Sequence, residues 1–263
     1  MQKLFLAAIA LIGLYSTAHA QEAGPEEAVS AFVLNNSVYV LYHEIGHLFV
    51  GEFDIPILGK EEDAADNVAT LLLLEAETEE ADSALIDSAD GWFLSDAASE
   101  AETYDDAEFY DTHSLDVQRA FQIVCLMVGS NAEIFGEVAT EIGMEPERQD
   151  SCEADYVQTA LSWGAVLEPF ESDGSNKVDI TISYEPSENH AEAAEFLEDS
   201  GFFEHAAEMI LSGYALPRPI TMRGTECGEP NAFYDPEVAE VVFCYELADH
   251  FYTLFENAAA EEG

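Results

Sequence analysis

Apolar residues at Val29, Phe32, Val33, Val40, Leu41, Ile45 and Leu48 recur close to the helical period and predict a helix over residues 28–50. Gly51 ends that pattern, and Phe53 to Gly59 reads as a loop. A second helix is expected to start near Glu61, carrying Ala64, Ala65, Val68 and the run Leu71 to Leu74. Its first turn is acidic, which the positive end of the helix dipole favours. From Glu61 to Asp116 there is no Lys or Arg. Because Trp92, Phe93, Leu94 and Tyr104 fall in that stretch, it reads as acidic helices with an apolar face. Further helices are expected over residues 114–128 and 153–167. The cluster Ser172-Asp173-Gly174-Ser175-Asn176 marks a turn and the best internal boundary.

Beyond that cluster the texture changes. Val178 to Ile182 alternates like a strand, and Pro219 to Arg223 and Val238 to Phe243 read as two more. Residues 188–212 look helical, Gly224 to Pro236 is polar and turn-rich, and a last helix covers residues 247–257. The expectation is an α+β fold, mainly α, with a small sheet supplied by the C-terminal third. After a leader over residues 1–20, residues 21–263 are read as a single domain, with a helical part over 21–171 and a strand-containing part over 177–263.

The leader is a short apolar run, Leu4 to Leu14, closed by Ala18-His19-Ala20. It has the length and small-residue cleavage site of a signal peptide, so a periplasmic or secreted location is expected. No later segment is long and apolar enough to span a membrane. Four cysteines, Cys125, Cys152, Cys227 and Cys244, lack zinc-knuckle spacing. In an exported chain they suggest two disulfides, and of the three pairings the local ones, Cys125–Cys152 and Cys227–Cys244, are preferred.

Charge alters the picture more than composition does. Against 55 acidic residues stand 7 basic ones, for a formal net charge of −48. Such a chain cannot supply the cationic contacts that phosphates need, which excludes nucleic acid as a partner. Acid spread along the whole chain points to a saline habitat, where screening relieves self-repulsion. The alternative is an acidic surface that gathers cations or basic substrates.

The segment His43-Glu44-Ile45-Gly46-His47 carries the candidate chemistry. Two histidines one helical turn apart project from one face and can share a zinc ion. Glu44, beside the first ligand but off the metal axis, is placed to act as general base in hydrolysis of a peptide bond. A catalytic zinc needs one more protein ligand, and Glu61-Glu62-Asp63-Ala64-Ala65-Asp66 offers it. Glu62 is preferred, with Glu61 and Asp63 as alternatives. Asp66 then falls one turn on, where it can accept a hydrogen bond from a ligand imidazole. Gly46 leaves room over the helix surface, and Ala64 and Ala65 are small enough for the two helices to approach closely. His190, His205 and His250 lack ligand spacing and read as solvated or satisfied histidines. Tyr234 and Tyr245 read as packing residues before cleft residues. The rival readings are a non-catalytic zinc-binding protein and an acidic surface-interaction protein.

HExxH followed by E-x-x-A-D resembles the gluzincin pattern of the HtpX and CAAX prenyl endopeptidase family, through His43, Glu44, His47, Glu62, Ala65 and Asp66. The segment Thr112 to Arg119 is similar to that family's H-P-x-x-x-x-R, with Ser114 in place of Pro. The resemblance implies that His113 or Arg119 stabilises an oxyanion. The plain alternative is a helix start with Ser114 as N-cap and His113 exposed. Over most of its length the chain resembles an uncharacterised bacterial family of exported metallopeptidase-like proteins carried as a domain of unknown function. The resembling segments include Tyr42 to His47, Pro56 to Asp66, Asp90 to Leu94, Gln118-Arg119, Cys227 to Pro236 and Cys244 to Leu247. This implies a zinc-dependent hydrolase acting on a peptide or protein. Zincins place their sheet before the HExxH helix. Here strand-like segments come only after Lys177, so a permuted order is expected.

Overall fold

The computed structural model describes residues 24–98, 104, 106–174 and 178–262. The leader and the last part of the Ser172–Asn176 cluster lie outside them. Helices dominate: α1 Pro25–Glu52, α2 Glu61–Ala76, α3 Glu79–Ala98, α4 Asp116–Ser130, α5 Ala132–Glu141, α6 Pro146–Leu167, α7 Ala191–Asp199, α8 Phe202–Gly213 and α9 Tyr245–Glu262. The strands are β1 Ile180–Tyr184, β2 Ile220–Thr225, β3 Ala232–Asp235 and β4 Glu240–Cys244. They form one sheet in the order β1-β2-β4-β3. β1, β2 and β4 run parallel, and β3 lies antiparallel on the edge beside β4. The fold is therefore α+β and mainly α, and every described strand follows Lys177. Among the described residues no helix is long and apolar enough to cross a membrane.

Three local expectations need correction. The helix expected over residues 188–212 is two helices, because Gly201 stands at φ +68°, a left-handed conformation that interrupts α-helix. The turn-rich stretch Gly224 to Pro236 contains β3. Helix α5 escaped the periodicity. Its start is set by Asn131, whose side chain accepts from the amides of Glu133 and Ile134. In addition, α4 begins at Asp116 after Leu115, not after a Ser114 cap.

The chain divides into two compact units: one comprises Met1–Asn36, Thr70–Ala160 and Phe251–Gly263, the other Ser37–Ala69 and Leu161–His250. In the first, helical unit, α3, α4 and α5 bury Leu85, Ala89, Ile123, Leu126, Met127, Phe135 and Val138. The cystine Cys125–Cys152 joins α4 to α6. These helices approach so closely that a Cβ on Gly129 would meet the Cys152 carbonyl oxygen at 2.3 Å.

In the second unit α8 packs on the sheet and α7 packs on α8. Phe202 stands edge-on to Phe243 with centroids 4.9 Å apart, and Ile220, Met222, Val241 and Ile210 are fully buried. The C-terminal half of α1 belongs to this unit. Its Phe49 packs on Tyr214, and its neighbour Phe53 stacks on Phe170. The first turns of α2 lie against α1 at Gly46, where a Cβ would stand 2.8 Å from Ala65 Cα. A glycine facing an alanine is what lets the two backbones meet. The second cystine, Cys227–Cys244, ties the β2–β3 loop to the end of β4.

Candidate metal centre

The close contact at Gly46 and Ala65 brings one carboxylate of α2 onto two imidazoles of α1. His43 Nε2 lies 3.1 Å from His47 Nε2, and Glu62 Oε2 is 3.2 Å from each. Glu62, His43 and His47 are thus three corners of a nearly equilateral triangle.

The outer nitrogens are occupied. His43 Nδ1 lies 2.7 Å from Asp66 Oδ1, and His47 Nδ1 lies 2.9 Å from Glu61 Oε1. A carboxylate can only accept, so each Nδ1 carries the hydrogen and each Nε2 of a neutral ring is a bare lone pair. With both rings neutral, three lone pairs converge on one point, an arrangement that a metal cation or protons on the imidazoles can satisfy. A tetrahedral zinc with ordinary bond lengths sets its donor atoms about 3.3–3.5 Å apart, so the triangle fits with only a slight opening. Asp66 is itself buried and accepts from the hydroxyl of Tyr39, one turn before His43, at 3.3 Å.

The model of the DUF4344 family, described as "Putative metallopeptidase", matches residues 8–167 and 184–263. The chain belongs to this family. No curated protein and no solved structure matches it significantly. Membership in DUF4344 implies a metal cofactor and a peptide or protein substrate, and the triangle is one group among the described residues that could hold a metal.

The electrostatics of this DUF4344 member follow from burial against charge. Burial alone would lower the pKa of His43, but hydrogen bonds to Asp66 and Glu62 win and raise it to about 9. Burial likewise works against protonation of His47, and Glu62, Glu44 and Glu61 raise it on balance. Glu44 is buried, and that burial pushes its carboxyl up despite the neighbouring histidines. The backbone amide of Tyr234, on the edge strand β3, lies near the Glu44 carboxylate and works against that rise.

Tyr234 connects to a further carboxylate, Glu52. Its hydroxyl donates to Glu52, which is buried at the end of α1, and its ring lies against Gly51. Arg218 holds Glu52 with Nε at 2.9 Å and a terminal nitrogen at 2.6 Å, which keeps that carboxyl below its ordinary range. Sequence reasoning missed Tyr39, Glu52 and Arg218 and gave Tyr234 a packing role. Only Tyr39 had a local signal, its one-turn spacing from His43.

The structure brings together His43, Glu44, His47, Glu61, Glu62 and Asp66 in one unit. His113 and Arg119 belong to the helical unit. His113 is exposed beside Asp111, with Nδ1 3.3 Å from its carboxylate. Arg119 is buried, with its guanidinium 3.7 Å from the centre of the Trp92 ring. His205 and His250 are exposed, whereas His190 lies among Asp249, Glu246 and Glu226.

Proposed function

We propose that this chain is a zinc-dependent peptidase of gluzincin type that works outside the cytoplasm, with His43, His47 and Glu62 as metal ligands. The observation that carries this reading is the convergence of three potential ligand atoms at 3.1–3.2 Å, each imidazole being turned inward by a carboxylate on its other nitrogen. Glu61 is engaged with His47 Nδ1 and Asp63 is exposed, which supports the choice of Glu62 as the third ligand. When bound there, zinc supplies Lewis acidity toward a carbonyl oxygen and toward water.

The remaining chemistry is the protein's own. Glu44 stands beside His43 with its carboxyl raised by burial, so it can take a proton from the attacking water and keep it for transfer to the leaving amine. The Tyr234 amide lies beside that carboxylate, and Glu52 with Arg218 anchors the Tyr234 side chain. Asp66 keeps His43 in the tautomer that presents Nε2. The oxyanion role of His113 or Arg119 rests on the HtpX resemblance alone. Two cystines support an oxidising compartment, and 55 carboxyl side chains support a saline one.

A library of unstructured peptides incubated with the full chain tests the reading. Cleavage should stop on removal of metal with a chelator and return with stoichiometric zinc. Cleavage that persists in the stripped protein would contradict it, as would failure of the zinc-loaded chain to cut any peptide.

A further inference from the structure

We propose that His190, Glu226 and Glu246 form a second divalent-metal site, separate in its residues from the triangle on α1 and α2. One donor atom from each of the three lies within 4.8 Å of the other two. His190 Nε2 is 3.8 Å from Glu246 Oε1, and His190 Nδ1 is 2.5 Å from Asp249 Oδ2. The imidazole is thus backed by Asp249 on Nδ1 and has Glu246 on the side of Nε2, with a Glu226 oxygen within 4.8 Å of the ring's ligand nitrogen. His43 shows the same arrangement between Asp66 and Glu62.

Both glutamates are fixed before any ion arrives. Glu246 has its side chain only 10% exposed, and it accepts from the amides of Gly228 at 2.5 Å and Cys227 at 3.0 Å. Glu226 accepts from Asn189 Nδ2 at 2.6 Å and Ser187 Oγ at 2.8 Å. The cystine Cys227–Cys244 lies next to Glu226 and two residues before Glu246, so it pins both backbones. Each carboxylate keeps lone pairs for a metal.

Three carboxylates around one imidazole leave an excess of negative charge, which a divalent ion offsets by one unit more than a single proton on His190 does. One nitrogen with two or three carboxylate oxygens suits zinc or manganese. Calcium takes six to eight oxygens. Such an ion would clasp the β1–α7 loop, the β2–β3 loop and the first turn of α9. The β2–β3 loop leads directly into the strand that carries Tyr234.

The test uses the full chain with His43→Ala and His47→Ala together, stripped of metal and titrated with zinc against a chromogenic chelator. Molar sodium chloride and millimolar magnesium suppress diffuse binding to surface carboxylates. One saturable zinc equivalent is expected, with affinity at least tenfold lower in Glu226→Gln and no binding after His190→Ala. Saturating zinc should raise the thermal midpoint of the starting double variant and not that of the His190→Ala chain. Glu226 is exposed, so its replacement by Gln leaves folding undisturbed and keeps the test decisive. Absence of saturable zinc would overturn the proposal, as would equal affinity with and without Glu226→Gln and His190→Ala. Because the first site is removed throughout, neither result bears on the peptidase reading.

Discussion

His43 gives its Nδ1 to Asp66 at 2.7 Å, and that contact decides which imidazole nitrogen faces Glu62. Asp66→Ala should lower metal affinity about 10–100-fold, the usual cost of losing an outer partner of a ligand histidine. Asp66→Asn retains an acceptor oxygen and should lose less. Chelator competition measures both, and unchanged affinity in Asp66→Ala would show that Asp66 does not orient the ligand.

Gly46→Ala places a methyl group 2.8 Å from Ala65 Cα and 3.0 Å from its carbonyl oxygen, both of them backbone atoms that cannot swing aside. The helices must separate, and overpacking of this kind costs about 1–3 kcal/mol. Urea denaturation should show the loss, accompanied by weaker metal binding because Glu62 rides on the displaced helix. A variant of full stability and full affinity would contradict the close-approach account.

Asp90, on α3, has its carboxyl pushed up to about 8, chiefly by burial and further by Asp87 and Glu141. Its unfolded value is about 4. A group raised in the folded state contributes fully below the unfolded value, and its contribution is lost as pH rises through the folded one. Asp90→Asn cannot ionise, so its gain in stability should be small at pH 5 and larger at pH 8.5. Denaturation midpoints at the two pH values check this, and an equal shift at both would be the contrary result.

With 55 acidic residues and 7 basic ones, the folded chain repels itself. The Debye length falls from about 10 Å at 0.1 M salt to about 3 Å at 1 M. The melting temperature should therefore rise from low to molar sodium chloride, and a flat or falling curve would argue against a saline habitat.

What the sequence disclosed was what local spacing encodes. His43 and His47 sit one turn apart on α1, Glu62 and Asp66 one turn apart on α2, and the structure sets the two pairs face to face. The rest depends on distant segments. Glu52 and Tyr234 are separated by 182 positions, and no periodicity links them. β3 was hidden because it is a four-residue edge strand with Phe233 exposed, so it lacks the alternation of a strand with a buried face. The His190 cluster is assembled from two loops and a helix start, and none of the three segments shows ligand spacing by itself.

The central claim is that Glu44 is the proton-transferring base of a zinc centre it does not ligate. Glu44→Gln preserves the size of the side chain and removes its basicity. Zinc content and the rate of peptide cleavage, measured on the same preparations of wild type and variant, test the claim most directly. The variant should retain the zinc held by His43, His47 and Glu62, while its rate falls by about 10²–10⁴-fold. Zinc lost together with the glutamate, or hydrolysis undiminished in its absence, would contradict the mechanism.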